Sequence, residues 1–308
     1  MRSLLTVCAF IWGVYGVAPA QGAELLVVGD QSRPYYASFL QGMEEADGGF
    51  NISTISDNVL RDRQPKELPR ADVIVAIGHR AATTTQAMRP SVPVVYSLVS
   101  TRFADAAIRD NETRRPSAFL TLEQPISRVL ALISVALPER RRLGVIYGPT
   151  SITVGAKLRQ QALAAGFQLY EEKISSETEI NDALKRLTKN VNVLLALPDP
   201  VVVNENTAKS LILGSYLHEV ALVGVSHAVV KAGALMAVHT TPAQFGRNSA
   251  ELATKLVSER NGAGTDIEFP RYFDVTVNYQ VAKGLGLELP SEDILYKKIR
   301  QRETTRHE

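Results

Sequence analysis

Leu143-Gly144-Val145-Ile146-Tyr147, followed by Gly148-Pro149, reads as a short strand that ends in a turn. The run is unbroken rather than alternating, as expected of a parallel-sheet strand whose two faces are both covered by helices. The arrangement recurs toward the C-terminus, as Val193-Leu194-Leu195-Ala196-Leu197 before Pro198-Asp199 and as Ala221-Leu222-Val223-Gly224-Val225 before Ser226-His227. Toward the N-terminus it appears as Leu25-Leu26-Val27-Val28 before Gly29-Asp30, Val73-Ile74-Val75-Ala76 before Gly78-His79, and Val92-Pro93-Val94-Val95-Tyr96. Pro93 donates no ladder hydrogen bond, so that last run is expected at a strand start or a sheet edge.

The spacing repeats as well. Leu25 and Val73 lie 48 positions apart and Leu143 and Val193 lie 50 apart, so the chain steps through one kind of unit twice. Apolar residues at three- and four-residue intervals predict helices over 154–165, 179–187 and 245–257, with further strands at 51–55, 168–173, 234–238 and 273–277. The expected fold is α/β: two similar lobes, each a mostly parallel sheet flanked by helices, facing each other across a cleft. Lobe 1 is expected over 24–121 plus about 241–270, and lobe 2 over 122–240 plus about 271–290. The chain then crosses near residues 121, 240 and 271, and 291–308 forms a solvated helix or tail. A single doubly wound domain is the other arrangement this pattern allows.

Arg2 followed by an apolar run from Leu4 to Val17, then Ala18-Pro19-Ala20, has the layout of a secretory signal peptide cleaved after residue 20, or as late as 23. Its apolar run is too short to span a bilayer. The sole cysteine, Cys8, and the sole tryptophan, Trp12, would leave with it. Cys8 follows Val7 where a lipoprotein signal needs a small residue, so a periplasmic protein without a lipid anchor is expected. Loss of Arg2 leaves 33 Lys and Arg against 32 Asp and Glu, a balance that argues against nucleic acid as a partner. At about 285 residues the processed chain exceeds what one core usually organises.

Enzyme and cofactor signatures are missing: no dinucleotide fingerprint, no P-loop, no His-Glu-x-x-His helix. Gly224-Val225-Ser226-His227-Ala228 falls one glycine short of a nucleophile elbow and reads as a cleft loop; the hydrolase alternative would pair Ser226 with His227 or His239. His79, His218, His227, His239 and His307 show no metal-ligand spacing. Neither a catalytic residue, a metal nor a cofactor is expected.

From Leu143 onward the chain resembles the ABC transporter substrate-binding proteins of uncharacterised type, a branch with the type I periplasmic-binding fold. The resemblance rests on Gly144-Val145-Ile146-Tyr147, Lys231-Ala232-Gly233-Ala234-Leu235 and Phe245-Gly246-Arg247. Its most specific part is the closing Val277-Asn278-Tyr279-Gln280-Val281-Ala282-Lys283-Gly284-Leu285-Gly286-Leu287 with Pro290. Ala76-Ile77-Gly78-His79-Arg80-Ala81-Ala82 resembles the family's ligand loop, although His79-Arg80 replaces a small hydroxyl residue and proline. The resemblance implies a monomeric carrier that captures a small solute, such as an amino acid or carboxylate, and delivers it to an inner-membrane ABC permease. A sensory module of the same fold acting on a membrane receptor is the alternative.

Position at strand ends selects the candidate ligand residues: Tyr35, Tyr36, Gly78, His79, Arg80, Ala81, Ser97, Tyr147, Thr150, Asp199, Ser226 and His227. Backbone N–H groups from Arg80 to Thr83, with the Arg80 guanidinium, suit a ligand carboxylate, and Asp199 suits an amine. Tyr35, Tyr36 and Tyr147 are candidate walls.

Overall fold

The computed structural model describes residues 22–46, 49–61, 69–110, 116–258 and 265–307. The expected leader, with Cys8 and Trp12, lies outside them. In chain order the elements are β1 (Ala23–Val28), α1 (Pro34–Glu44), β2 (Phe50–Ile55), α2 (Asp57–Arg61), β3 (Val73–Ile77), α3 (Gly78–Ala87), β4 (Val94–Val99), α4 (Thr101–Arg109), β5 (Ser117–Thr121) and α5 (Ile126–Ala136). There follow β6 (Arg142–Tyr147), α6 (Gly155–Ala164), β7 (Gln168–Lys173), α7 (Ile180–Leu187), β8 (Val193–Leu195), α8 (Glu205–Leu217), β9 (Ala221–Val223), α9 (His227–Ala232) and β10 (Met236–His239). The chain closes with α10 (Pro242–Ser258), β11 (Asp266–Glu268), β12 (Asp274–Val277), α11 (Tyr279–Gly284) and α12 (Glu292–His307).

Two six-stranded sheets form, in the orders β2-β1-β3-β4-β5-β11 and β7-β6-β8-β9-β10-β12, which excludes the single doubly wound domain. All pairings are parallel except β10 with β12. The unbroken apolar runs have the burial that parallel sheets impose: Leu25, Leu26, Val27 and Val28 are completely buried, with helices packed over both faces. Pro93 stands just before β4, where its carbonyl accepts from the Ile74 N–H at 3.0 Å, and β4 is an interior strand. Two strands escape a reading by apolar runs. Ser and Thr bound the short β5, and β11 is the charged tripeptide Asp266-Ile267-Glu268 on a sheet edge. The C-terminal helix is docked rather than solvated, because Leu295 and Ile299 are fully buried in the core around the second sheet.

Three crossings join the sheets. The chain leaves β5 at Thr121 and enters α5 at Ile126; it leaves β10 at His239 and enters α10 at Pro242; it leaves β11 at Glu268 and enters β12 at Asp274. Gln124 donates to Thr240 Oγ1 (2.8 Å) and Thr240 donates to the Tyr272 carbonyl (2.7 Å), so the crossings are bonded to one another. Arg128 on α5 is 5 % exposed and donates to Gln124 Oε1 and the Pro270 carbonyl, both at 2.8 Å, and to Glu303 of α12 at 2.5 Å.

Although α10 follows a strand of the second sheet, it packs on the first, against α1. The contact depends on two glycines: a Cβ at Gly42 would lie 1.9 Å from the Ala243 carbonyl oxygen, and one at Gly246 1.9 Å from that of Phe39. Backbone cannot yield as a side-chain tip can. Gly246→Ala is therefore expected to cost about 2 kcal/mol by overpacking, seen as a lower denaturation midpoint at unchanged m-value.

Candidate functional site

The crossings from β5 and from β10 leave the C-terminal ends of strands, so the strand ends of both sheets border one gap. At its base Leu122, Glu123 and Gln124 meet Leu197, Pro198 and Val225 around an apolar recess of about 70 Å³. Glu123 accepts from the Thr101 N–H (3.1 Å) and Thr101 Oγ1 (3.2 Å); burial raises its pKa against those bonds.

On the first lobe, the loops after β1, β2 and β3 bring Asp30, Tyr35, Asp57, Gly78, His79 and Arg80 together. Tyr35 is half-buried, and its hydroxyl lies 3.5 Å from where a Cβ at Gly78 would sit. His79 is exposed and stands edge-on to Phe103, with centroids 4.9 Å apart. Arg80 is neither free for a ligand nor simply solvated. Its Nε donates to Asp57 Oδ2, and its Nη2 to Asp57 Oδ1 (3.3 Å) and Asp30 Oδ2 (2.9 Å). Hydrogen bonds from Ser32, with Arg80 and Arg33 nearby, keep Asp30 ionised below the usual carboxylate range. With two carboxylates already on it, Arg80 has little net attraction for a third. The N-terminus of α3 carries no side-chain cap and no acidic residue in its first turn, so its backbone N–H groups keep their capacity for an anion.

Several sequence candidates point elsewhere. Ala81 and Tyr36 face the core at 1 % and 5 % exposure. Ser97 is fully buried and bonded to Ser249 of α10 at 2.9 Å. Tyr147 is no cleft wall: it is 1 % exposed and its hydroxyl donates to Glu171 at 2.9 Å.

Asp199 is 2 % exposed and organises the second lobe's loops from within. Its Oδ2 accepts from the N–H and Oγ1 of Thr150 (3.0 and 2.8 Å) and from the N–H and Oγ of Ser151 (2.7 and 2.9 Å), while Oδ1 accepts from the Val201 N–H (2.9 Å). Burial raises its pKa, but these bonds outweigh burial and the net shift is downward. A ligand amine would have to displace them, so in this structure Asp199 shapes the loops and is not free to meet a ligand. Gly148 permits the approach, since a Cβ there would lie 2.3 Å from Asp199 Oδ1.

Ser226 caps α9 through the Val229 N–H (3.3 Å). His227, one of the strand-end candidates, and His239, which that reading did not include, share Thr276 Oγ1 at 3.2 and 2.8 Å beside an open depression of about 790 Å³. Among the described residues, no three His, Cys, Asp or Glu side chains are arranged to hold a metal ion. Burial holds His239 below its ordinary pKa, opposed by Asp274 and Glu292 and reinforced by His227. Its folded form thus binds a proton less readily than the unfolded chain. The stability this contributes is present above about pH 6.5 and lost as pH falls. Thermal melts should show wild type losing more stability than His239→Gln between pH 7.5 and pH 5.

A lobed α/β protein with strand ends gathered around an interlobe gap has the architecture of a solute-binding protein. Residues 52–300 match the family described as "ABC transporter substrate binding protein", and the chain belongs to that family. Members bind small molecules and partner with ABC permeases outside the cytoplasm; they form a binding class rather than an enzyme class. Among curated relatives, a tyrosine-binding protein of Clostridioides difficile is 20 % identical over 234 residues, 74 % of this chain and 67 % of its own. In fold, a substrate-binding protein with adhesive properties from Clostridium difficile, in its ligand-free open form, matches with TM-score 0.65 and 17 % identity, over 87 % of this chain and 96 % of its own. A domain from Streptococcus pneumonia in complex with L-Trp gives TM-score 0.59 and 16 % identity over 90 % and 98 %.

Proposed function

We propose that this chain is an exported, unanchored periplasmic carrier, released from the 1–20 leader, that captures an amino acid between two lobes and presents it to an inner-membrane ABC permease. The lobes would be 24–121 plus about 241–270, and 122–240 plus about 271–290. The observation that carries the ligand class is the composition of the gap: an apolar recess at its base, bordered by Glu123, with uncapped α3 N–H groups at its rim. An amphipathic zwitterion uses all three: its apolar part fills the recess, its ammonium meets a carboxylate, and its carboxylate meets the helix N-terminus. The names of two relatives, one tyrosine-binding and one in complex with L-Trp, point the same way. Tyr35, Gly78, His79 and the Arg80 N–H would contribute from the first lobe, with Thr150, Ser226 and His227 from the second as it closes.

A thermal-shift panel of the twenty amino acids and small carboxylates, run on the processed protein, tests this reading. At least one amino acid should raise the melting temperature; a ligand at 100 times its Kd adds about 2.7 kcal/mol by linkage. A folded protein that no member of the panel stabilises would defeat the proposal.

A further inference from the structure

On the far side of the crossings lies a cavity of about 800 Å³ that the solute-binding reading does not use. Ile267 and Glu268 of the first sheet's edge strand form one wall, the third crossing forms another, and α5 and α12 of the second lobe complete it. Its lining is strongly cationic for a chain with a formal net charge of only +2: Arg128, Arg271, Arg300 and Arg302 face Glu268 and Glu303. Glu303 is already committed to Arg128 at its Oε1 and to Arg300 at 3.4 Å, and Arg271 reaches outward to Glu251 at 3.3 Å. Arg302 has no acidic partner among the described residues. Positive charge therefore exceeds what the protein's own carboxylates answer, inside a concave space large enough for a small ligand.

We propose that this cavity is a second ligand site, separate from the interlobe gap, for a small multiply charged oxyanion. The guanidinium groups of Arg300 and Arg302 on one helix suit such an ion, because a guanidinium offers paired donors to neighbouring oxygens, while Arg128 behind them is already committed to Glu303, Gln124 and the Pro270 carbonyl and closes the back of the site. Glu268 is the one lining carboxylate without a cationic partner among the described residues, and it sets the repulsive side of the site.

Isothermal titration of the processed protein with pyrophosphate and with citrate, at an ionic strength matched with sodium chloride, reads the proposal directly. Saturable binding of at least one probe is expected, weakened tenfold or more in the Arg300→Gln, Arg302→Gln double variant and strengthened about threefold or more in Glu268→Gln. Arg300 and Arg302 are exposed and Glu268 is half-buried, and circular dichroism checks that the variants fold. Absence of saturable binding by either probe overturns the site. So does binding that the double variant leaves unchanged, since the anion then sits elsewhere.

Discussion

Replacing Glu303 with alanine is expected to cost about 3 to 5 kcal/mol of folding stability, measured by urea denaturation. Arg128 is 5 % exposed, and Glu303 is the carboxylate that answers its charge. Removing that carboxylate leaves a guanidinium that burial already disfavours; its neighbour Arg300 disfavours it further. The Phe273 ring, 4.2 Å below the guanidinium, offers a weaker cation–π contact that cannot replace an ion pair. The double change Arg128→Met, Glu303→Leu separates the charge effect from the hydrogen bonds. It buries no charge and should recover much of the loss. What it fails to recover measures the bonds from Arg128 to Gln124 and the Pro270 carbonyl, which tie the first and third crossings. If Glu303→Ala stays within about 1 kcal/mol of wild type, water has taken the place of the carboxylate and the network is not structural. The expected loss would show that the docking of α12 on the crossings contributes to folding stability.

That role was not visible in the sequence, where 291–308 reads as a solvated helix or tail. Among its described side chains the helix buries Leu295 and Ile299 alone, too few to mark an apolar stripe, and its ion pair joins residues 175 positions apart. The strands were legible because parallel sheets need apolar residues on both faces, and such runs survive any reading of propensity. β11 was not, because an edge strand of three residues needs only Ile267 to be apolar and takes its place by pairing with β5. The candidate site was legible by position and not by role. Strand ends located Asp199, Arg80 and Tyr147, but each has its polar group engaged within the protein by a residue far away in sequence. Asp57, which engages Arg80, is signalled only by standing two residues after a strand whose end the pattern did place.

Asp199→Ala is expected to lower stability by about 3 kcal/mol or more, and any weakening of ligand binding should follow from disorder in the loops rather than from a lost contact. The carboxylate holds three backbone N–H groups, of Thr150, Ser151 and Val201, and two hydroxyls. Hydrogen bonds to a charged group contribute about 1.5 to 3 kcal/mol each when isolated, and donors left buried without a partner add their own desolvation cost. The bonds are not additive, because water entering the cavity satisfies some of the donors. The pH dependence is a second signature. The folded pKa of Asp199 lies below the unfolded value, so its contribution is present above about pH 4 and lost as pH falls through the folded pKa. Stability curves of wild type and Asp199→Ala should therefore converge in acid and separate as pH rises. Were Asp199 a ligand contact only, its removal would leave the apo protein's stability unchanged and cut affinity alone. A measured stability loss with parallel convergence in acid assigns it to the scaffold, and under the amino-acid reading proposed above the ligand's ammonium would then turn to another carboxylate, Glu123 beside the recess.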